Sequence, residues 1–112
     1  MGMIKKIGRF EVWLIELDPT KGSEIKKSRP CLVVSPDSVN THLNAVTVVP
    51  LTTVIRSYPT RVNCIFRGKK GQAMVDQIRS LGKIRLKKKL GTMEEQFCKL
   101  ICETIVEAYK WE

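Results

Sequence analysis

Residues 10–17 constrain the fold most, because they are apolar on both faces of the strand that their β-forming side chains predict. Alternate positions of a strand point to opposite faces. Each face here receives three large apolar side chains: Phe10, Val12 and Leu14 on one, Trp13, Ile15 and Leu17 on the other. A strand that buries both faces suits a small barrel that is also covered on its outside.

The middle of the chain continues in short segments of strand character separated by turn residues. The segments predicted to be strands are residues 31–35, 45–51, 60–67 and 72–79. A turn or a single helical turn at residues 36–40 joins the first two, and a hairpin loop at residues 68–71 joins the last two. Residues 84–89 add a short, strongly basic piece.

The last segment changes period, which predicts an amphipathic helix. Its apolar stripe recurs at steps of three and four residues: Met93, Phe97, Leu100, Ile101, Thr104, Ile105 and Ala108. Thr92 and Glu95 have the spacing of a capping box at its start. Short strands followed by one helix predict a mainly β (β-rich α+β) chain with one domain, residues 1–112. Its form is a small barrel or strongly curved sheet closed by the C-terminal helix.

The chain is strongly basic, with 20 Lys and Arg against 11 Asp and Glu and a net charge of +9. Such a surface attracts polyanions, and nucleic acid is favoured over a membrane surface. Solubility alone is the alternative explanation of the lysines. No run of 18 apolar residues could span a membrane, and no apolar stretch follows the basic N-terminus as in a secretory signal. These patterns predict a cytoplasmic protein with no membrane partner.

The four cysteines, Cys31, Cys64, Cys98 and Cys102, form no Cys-x-x-Cys pair, and His42 is the only histidine. Zinc sites of known spacing therefore cannot be assembled, and the sequence predicts neither a metal nor a cofactor. Cys98 and Cys102 share one face of the predicted helix. Buried, reduced thiols are favoured there over weak binding of a soft metal.

One polar loop, residues 22–30, is longer than a simple strand connection requires, which is typical of loops that carry function. It ends at Arg29, and the following Pro30 restricts Arg29 to extended geometry at the mouth of the next strand. A guanidinium held in a defined orientation is suited to binding phosphate. A surface arginine without a role is the alternative, and locally it is equally well supported.

Two further places offer polar groups beside apolar segments. Thr52 and Thr53 end an apolar strand, where a hydroxyl either donates to a phosphate oxygen or closes the strand by local hydrogen bonds. Asp76 lies within an apolar segment, where a carboxylate has to be paired or placed at a rim. A salt bridge to a lysine would explain Asp76 without any function.

Several short motifs, in order along the chain, resemble those of the MazF/PemK/Kid toxins. They are Glu16-Leu17-Asp18-Pro19-Thr20 with Gly22-Ser23-Glu24, Ser28-Arg29-Pro30-Cys31-Leu32-Val33-Val34-Ser35, Val49-Pro50-Leu51-Thr52, Asp76-Gln77-Ile78-Arg79-Ser80 and Lys83-x-Arg85-Leu86. Each motif alone is weak evidence, but together, at compatible spacing and with the closing helix, they span nearly the whole chain.

The resemblance implies an SH3-like barrel of the PemK/CcdB type with a C-terminal helix. It implies a homodimeric toxin that cleaves single-stranded RNA, usually mRNA, at short sequences without a metal. It also implies a protein partner, an antitoxin whose acidic, disordered tail lies over the active groove. The homodimer is expected on a second ground, because a barrel of this size has limited volume in which to bury a strand apolar on both faces.

The resemblance implies site residues as well. The common family pattern falls on Arg29 and Thr52 as catalytic residues, with Glu24 in support. A subgroup that resembles Kid uses a His in the first loop and an Arg-x-Asp on the later strand. Ser23 and Met74 occupy the His and Arg positions here, which disfavours that acid–base pair although the Asp is present. The predicted substrate-binding residues are Ser23, Lys27, Thr53, Tyr58, Asp76 and Gln77.

Cleavage without a metal requires the neighbouring 2′-hydroxyl to attack phosphorus, since no residue here can activate water as zinc does. Arg29 suits stabilisation of the phosphorane charge, because arginine stays protonated and is a poor base. Thr52 can hold a non-bridging oxygen, and Glu24 is the predicted base with Asp76 as the second choice. Tyr58 is a candidate for stacking on a base, and packing within its own loop is the alternative.

Two other functions are compatible with a basic barrel. A non-catalytic module would bind RNA or DNA without consuming it. A gyrase inhibitor resembling CcdB would share the barrel and the helix but lack the Arg-Pro loop. The presence of Arg29 and Thr52 favours the nuclease over both.

Overall fold

Seven antiparallel strands precede one long helix in the computed structural model, which describes residues 5–18 and 27–112. The strands are β1 (Glu11–Asp18), β2 (Lys27–Val33), β3 (Ala45–Thr52), β4 (Arg61–Phe66), β5 (Lys69–Met74), β6 (Arg79–Gly82) and β7 (Leu86–Thr92). The helices are α1 (Asp37–His42) and α2 (Glu95–Tyr109), and 3-10 turns occupy Val75–Gln77 and Lys83–Arg85. No helix in these two ranges is long and apolar enough to cross a membrane.

Strand β3 lies at the centre of the sheet, whose order is β4-β5-β3-β2-β1-β7, and β6 also pairs with β3. The first half of β3 pairs with β6, its end pairs with β5, and β2 pairs with its middle. The path of paired strands ends at β4 and β7, so hydrogen bonds do not close it. β4 and β7 nevertheless lie close to each other, since a Cβ built on Gly91 of β7 would lie 3.2 Å from the ring of Phe66 in β4. The mainly β class with a C-terminal helix is therefore confirmed, in a barrel-like sheet that stays open.

Strand β1 contributes to two separate cores, one on each of its faces. Val12 is fully buried in a core that also contains Met93 and Ile101, which bring α2 against the sheet. Trp13 and Ile15 belong to a second core on the other face. The prediction that both faces are covered is confirmed. Much of this coverage comes from within a single chain, however, so burial of β1 does not by itself require a second copy.

The hairpin between β4 and β5 is tighter than predicted. Its turn consists of Arg67 and Gly68 alone, both with positive φ, 52° and 79°, which is typical of a two-residue type I′ turn. Strand β5 resumes at Lys69, so the predicted four-residue loop is wrong. The predicted strand at 72–79 is also interrupted by the 3-10 turn Val75–Gln77. That corner lets β5 and β6 pair with different parts of β3.

The start of the C-terminal helix also differs from the prediction. Thr92 is the last residue of β7, and the helix begins at Glu95 with Glu94 at the N-cap position. The N-cap makes no side-chain hydrogen bond, so the predicted capping box is wrong. The chain instead stays paired with β1 up to Thr92. That pairing extends the predicted basic piece into a full edge strand.

Candidate active site

Arg29 and Thr52 are brought together by the pairing of β2 with β3. Cys31 lies opposite Pro50, and the same antiparallel register continued by two residues places Arg29 opposite Thr52. The Arg29 Nη1 donates a hydrogen bond of 3.3 Å to the carbonyl oxygen of Leu51. Arg29 and Thr52 both line a pocket of about 440 Å³, which we call the Arg29 pocket. The two residues singled out as catalytic therefore face one open cavity.

The Thr52 hydroxyl accepts a hydrogen bond from the backbone and can still donate one to a ligand. Its Oγ1 accepts a hydrogen bond of 3.1 Å from the Val54 N–H, which closes the end of β3 locally. A hydroxyl group also has one hydrogen to donate. The local closing bond is therefore present, and it leaves the Thr52 hydroxyl with a hydrogen to donate, so donation to a phosphate oxygen stays a prediction.

The β4–β5 hairpin supplies a basic wall to the same pocket. Lys69 and Lys70 line it together with Arg29, and the lining residues within the described ranges include no Asp or Glu. Three cations without a carboxylate make the pocket attractive to phosphate. From the sequence, these two lysines were predicted only to be part of a loop. Their charge was a visible signal, but their place beside Arg29 depends on the hairpin register.

Gly71 allows β5 to approach the end of β3 closely. A Cβ built on Gly71 would lie 2.4 Å from the backbone oxygen of Thr52. Real side chains essentially never come this close, so only glycine fits without a backbone shift. Gly71 therefore sets the position of the Thr52 backbone relative to the hairpin.

Asp76 and Tyr58 cluster around Arg61 and do not line the Arg29 pocket. The Asp76 carboxylate accepts hydrogen bonds from Arg61, at 2.9 Å and 3.3 Å, and from the Thr60 hydroxyl at 3.0 Å. The bonds from Arg61 hold the pKa of Asp76 below its ordinary value, which makes it a poorer proton acceptor. The Arg61 guanidinium also lies 5.0 Å from the centre of the Tyr58 ring. Asp76 thus has the salt bridge that its sequence context required, with an arginine as the partner.

The remaining predicted site residues divide into three groups. Thr53 lines the Arg29 pocket. Lys27, at the start of β2, and Gln77, in the 3-10 turn, are exposed and do not line it. Ser23 and Glu24 lie outside the described residues.

Comparison with known proteins decides the family. A family model described as "PemK-like, MazF-like toxin of type II toxin-antitoxin system" matches residues 8–109. The chain belongs to this family. Endoribonuclease toxin MazF of Escherichia coli (strain K12) is 35% identical to it over 91 residues, which cover 80% of this chain and 81% of that protein. The predicted family is confirmed.

Two solved structures resemble this PemK/MazF-like toxin over almost their entire length. An endoribonuclease from a mycobacterial species has 26% identity and a TM-score of 0.79, covering 99% of this chain and 100% of that one. An endoribonuclease in complex with its cognate antitoxin, also mycobacterial, has 26% identity and a TM-score of 0.78, covering 95% and 99%. The fold of the family is therefore the fold of this chain.

The cysteines of this toxin do not contribute nucleophiles to the pocket. Burial raises the pKa of Cys31 to about 12 and that of Cys98 to about 11. Burial also raises the pKa of Cys64, which lines the pocket. These thiols stay protonated at neutral pH, whereas the thiolate is the reactive form. No group of three or more His, Cys, Asp and Glu in the described ranges could hold a metal ion.

Proposed function

We propose that this toxin is an endoribonuclease that cleaves single-stranded RNA, with mRNA as its target, through attack by the 2′-hydroxyl and without a metal. The observation that carries the proposal is the meeting of Arg29 and Thr52 in one basic pocket. The endoribonucleases among the relatives of the chain support it.

As the P–O2′ bond forms and the P–O5′ bond breaks, the 2′ proton has to be removed, the phosphorane charge stabilised and the leaving 5′ oxygen protonated, and Arg29 donates that last proton. The Leu51 carbonyl uses one N–H of the Arg29 guanidinium and thereby orients the fork. The other N–H groups are directed to the non-bridging oxygens, where charge grows in the phosphorane. The Thr52 hydroxyl donates to one of the same oxygens. We assign removal of the 2′ proton to Glu24 in preference to Asp76, because Arg61 already binds the Asp76 carboxylate.

Cleavage products provide the first test. We expect the purified protein to cut a long single-stranded RNA in the presence of EDTA. The ends should be a 2′,3′-cyclic phosphate, or the 3′-phosphate derived from it, and a 5′-hydroxyl. Mass spectrometry of the fragments distinguishes these ends. Ends with a 5′-phosphate, or activity that requires a divalent metal, would exclude this mechanism, and intact RNA would favour a non-catalytic binding module.

We propose that the partner that silences this toxin is an antitoxin with an acidic segment that lies in the Arg29 pocket. The relative solved with its cognate antitoxin supports this assignment. Arg29, Lys69 and Lys70 give the pocket the opposite charge. An acidic peptide there would occupy the positions of the RNA phosphates, so inhibition follows from competition for the same site.

We further propose that the toxin forms a homodimer, with support from its C-terminal end and not from β1. The end of α2 and the residues after it expose apolar side chains, among them Val106 at 67%, Tyr109 at 59% and Trp111 at 97%. Exposed apolar surface of this kind is typical of an interface. Sedimentation equilibrium is expected to give twice the monomer mass at micromolar concentration, and a stable monomer would contradict the proposal.

A further inference from the structure

A second pocket, of about 360 Å³, adjoins the Arg29 pocket. The two cavities share the lining residues Cys64, Lys70 and Gly71. The other walls of the second pocket consist of three apolar side chains and one amide: Ile55, Ile65, Phe97 and Asn63. An aromatic ring and aliphatic walls beside a phosphate site have the character of surfaces that receive the unstacked bases of single-stranded RNA.

Backbone groups fix the orientation of one amide, that of Gln72, which lines the adjoining Arg29 pocket. Gln72 is buried, with 3% of its surface exposed. Its Oε1 accepts a hydrogen bond of 3.0 Å from the Arg56 N–H, and its Nε2 donates one of 3.0 Å to the Arg56 carbonyl. A backbone N–H can only donate and a backbone carbonyl can only accept. The Gln72 amide therefore has one orientation.

The Gln72 amide in turn orients the amide of Asn63, which lies directly opposite Gln72 in the β4–β5 pairing. The second hydrogen on Gln72 Nε2 is donated to Asn63 Oδ1 at 3.0 Å. Asn63 thus turns its oxygen towards Gln72, which leaves its Nδ2 as the group available to a ligand. Asn63 is exposed, and its Nδ2 has no acceptor within the described part of the chain. The second pocket therefore presents a hydrogen-bond donor of fixed polarity.

We infer that the second pocket holds a nucleobase next to the scissile phosphate, and that Asn63 selects a base with a keto oxygen, uracil or guanine. The inference rests on the proposed RNA cleavage and adds a specificity-determining residue to it. The Asn63 amide donates to uracil O4 or guanine O6. Cytosine and adenine carry an exocyclic amine at the corresponding position, so two donors would face each other and both would lose their bonds to water.

The substitution Asn63→Asp tests the inference, because it keeps the side-chain shape and the bond from Gln72 but replaces the outward donor with an acceptor. A pool of random single-stranded RNA is digested, the cut ends are sequenced, and the ratio of keto to amino bases is taken at each position beside the cut. We expect the wild-type protein to prefer keto bases at one position. The variant should shift that ratio by about tenfold towards amino bases, the size of one base-edge contact.

Two further variants separate this effect from charge and from structure. Asn44→Asp adds the same charge at an exposed position just before β3, at the end of the strand remote from Thr52, and should leave the ratio unchanged. Gln72→Leu frees the Asn63 amide to turn either way, so the keto preference should fall towards parity without reversing, whatever happens to the overall rate.

The outcomes distinguish this inference from the proposed function. Absence of cleavage by the wild-type protein would remove the proposed function and this inference with it. Cleavage in which no position beside the cut prefers keto bases would overturn the inference alone. So would a keto preference that Asn63→Asp leaves intact.

Discussion

Arg29→Ala is expected to lower the single-turnover cleavage rate at saturating RNA by a factor on the order of 10²–10³, the usual cost of removing a preorganised charge donor. RNA affinity should fall only modestly, because Lys69 and Lys70 remain in the pocket. The physical reason is the contact with Leu51, which holds the guanidinium at the pocket before RNA arrives. Single-turnover rates and equilibrium binding, measured on the same RNA, separate the two effects.

Arg29→Lys makes the test sharper because it keeps the charge and removes the planar fork. An ammonium cannot reproduce the forked donation of a guanidinium to phosphate oxygens, so this variant should be almost as slow as the alanine variant. Lys87→Ala is the control, since Lys87 is exposed on β7 and does not line the pocket. It should weaken binding and flatten its salt dependence by about one unit of slope with little change in rate. A wild-type rate for Arg29→Ala at saturating RNA would make Arg29 a binding residue only.

Gly71→Ala is expected to have the second largest effect, on stability and on cleavage together. The new methyl group would lie 2.4 Å from the Thr52 backbone oxygen, so β5 or the end of β3 has to move. Overpacking of this kind costs about 1–3 kcal/mol of unfolding free energy. The same movement displaces the Thr52 hydroxyl from Arg29, so the cleavage rate should fall even where the protein is fully folded. Urea unfolding and single-turnover cleavage measure the two losses.

Gly82→Ala is the matched control for this substitution. Its φ is −65°, which any residue adopts, and a Cβ there would meet only the Ile84 Cγ2, at an ordinary 3.8 Å. Both the unfolding free energy and the cleavage rate should stay close to those of the wild-type protein. If Gly71→Ala were as stable and as active as Gly82→Ala, the close approach of β5 to Thr52 would have no role in the site.

The elements that the sequence predicted well are those with a strong period. β1 and α2 carry apolar patterns long enough to identify each element, but Leu100 of the predicted α2 stripe is 49% exposed while Cys98 outside that stripe is buried. The 3-10 turn at Val75–Gln77 has no comparable signal in the sequence, because a change of chain direction within an apolar segment does not alter the composition of that segment. The same holds for the start of α2, where pairing with β1 outweighs the local capping signal of Thr92.

The residues of the candidate pocket that belong to recognisable motifs could be singled out from the sequence, and those whose place depends on strand register could not. Thr52 ends β3 as predicted, whereas Arg29, predicted just before its strand, is the third residue of β2; both stand beside recognisable motifs. The Asn63–Gln72 pair depends on the two-residue turn at Arg67–Gly68. The four-residue loop predicted at 68–71 would have placed Asp76 opposite Asn63, so the amide pair could not have been foreseen. Lys69 and Lys70 were missed for the same reason.

The central position of β3 also bears on how such an enzyme is controlled. Thr52 ends a strand that holds β6 and β5 along one edge and β2 along the other. Thr52 itself is paired with Gln72 of β5, and Gly71 allows that close approach, so the sheet fixes the Thr52 backbone before any ligand binds. Under the proposed function, we therefore expect control to act through access to a preformed pocket, which RNA enters once the acidic segment has left it.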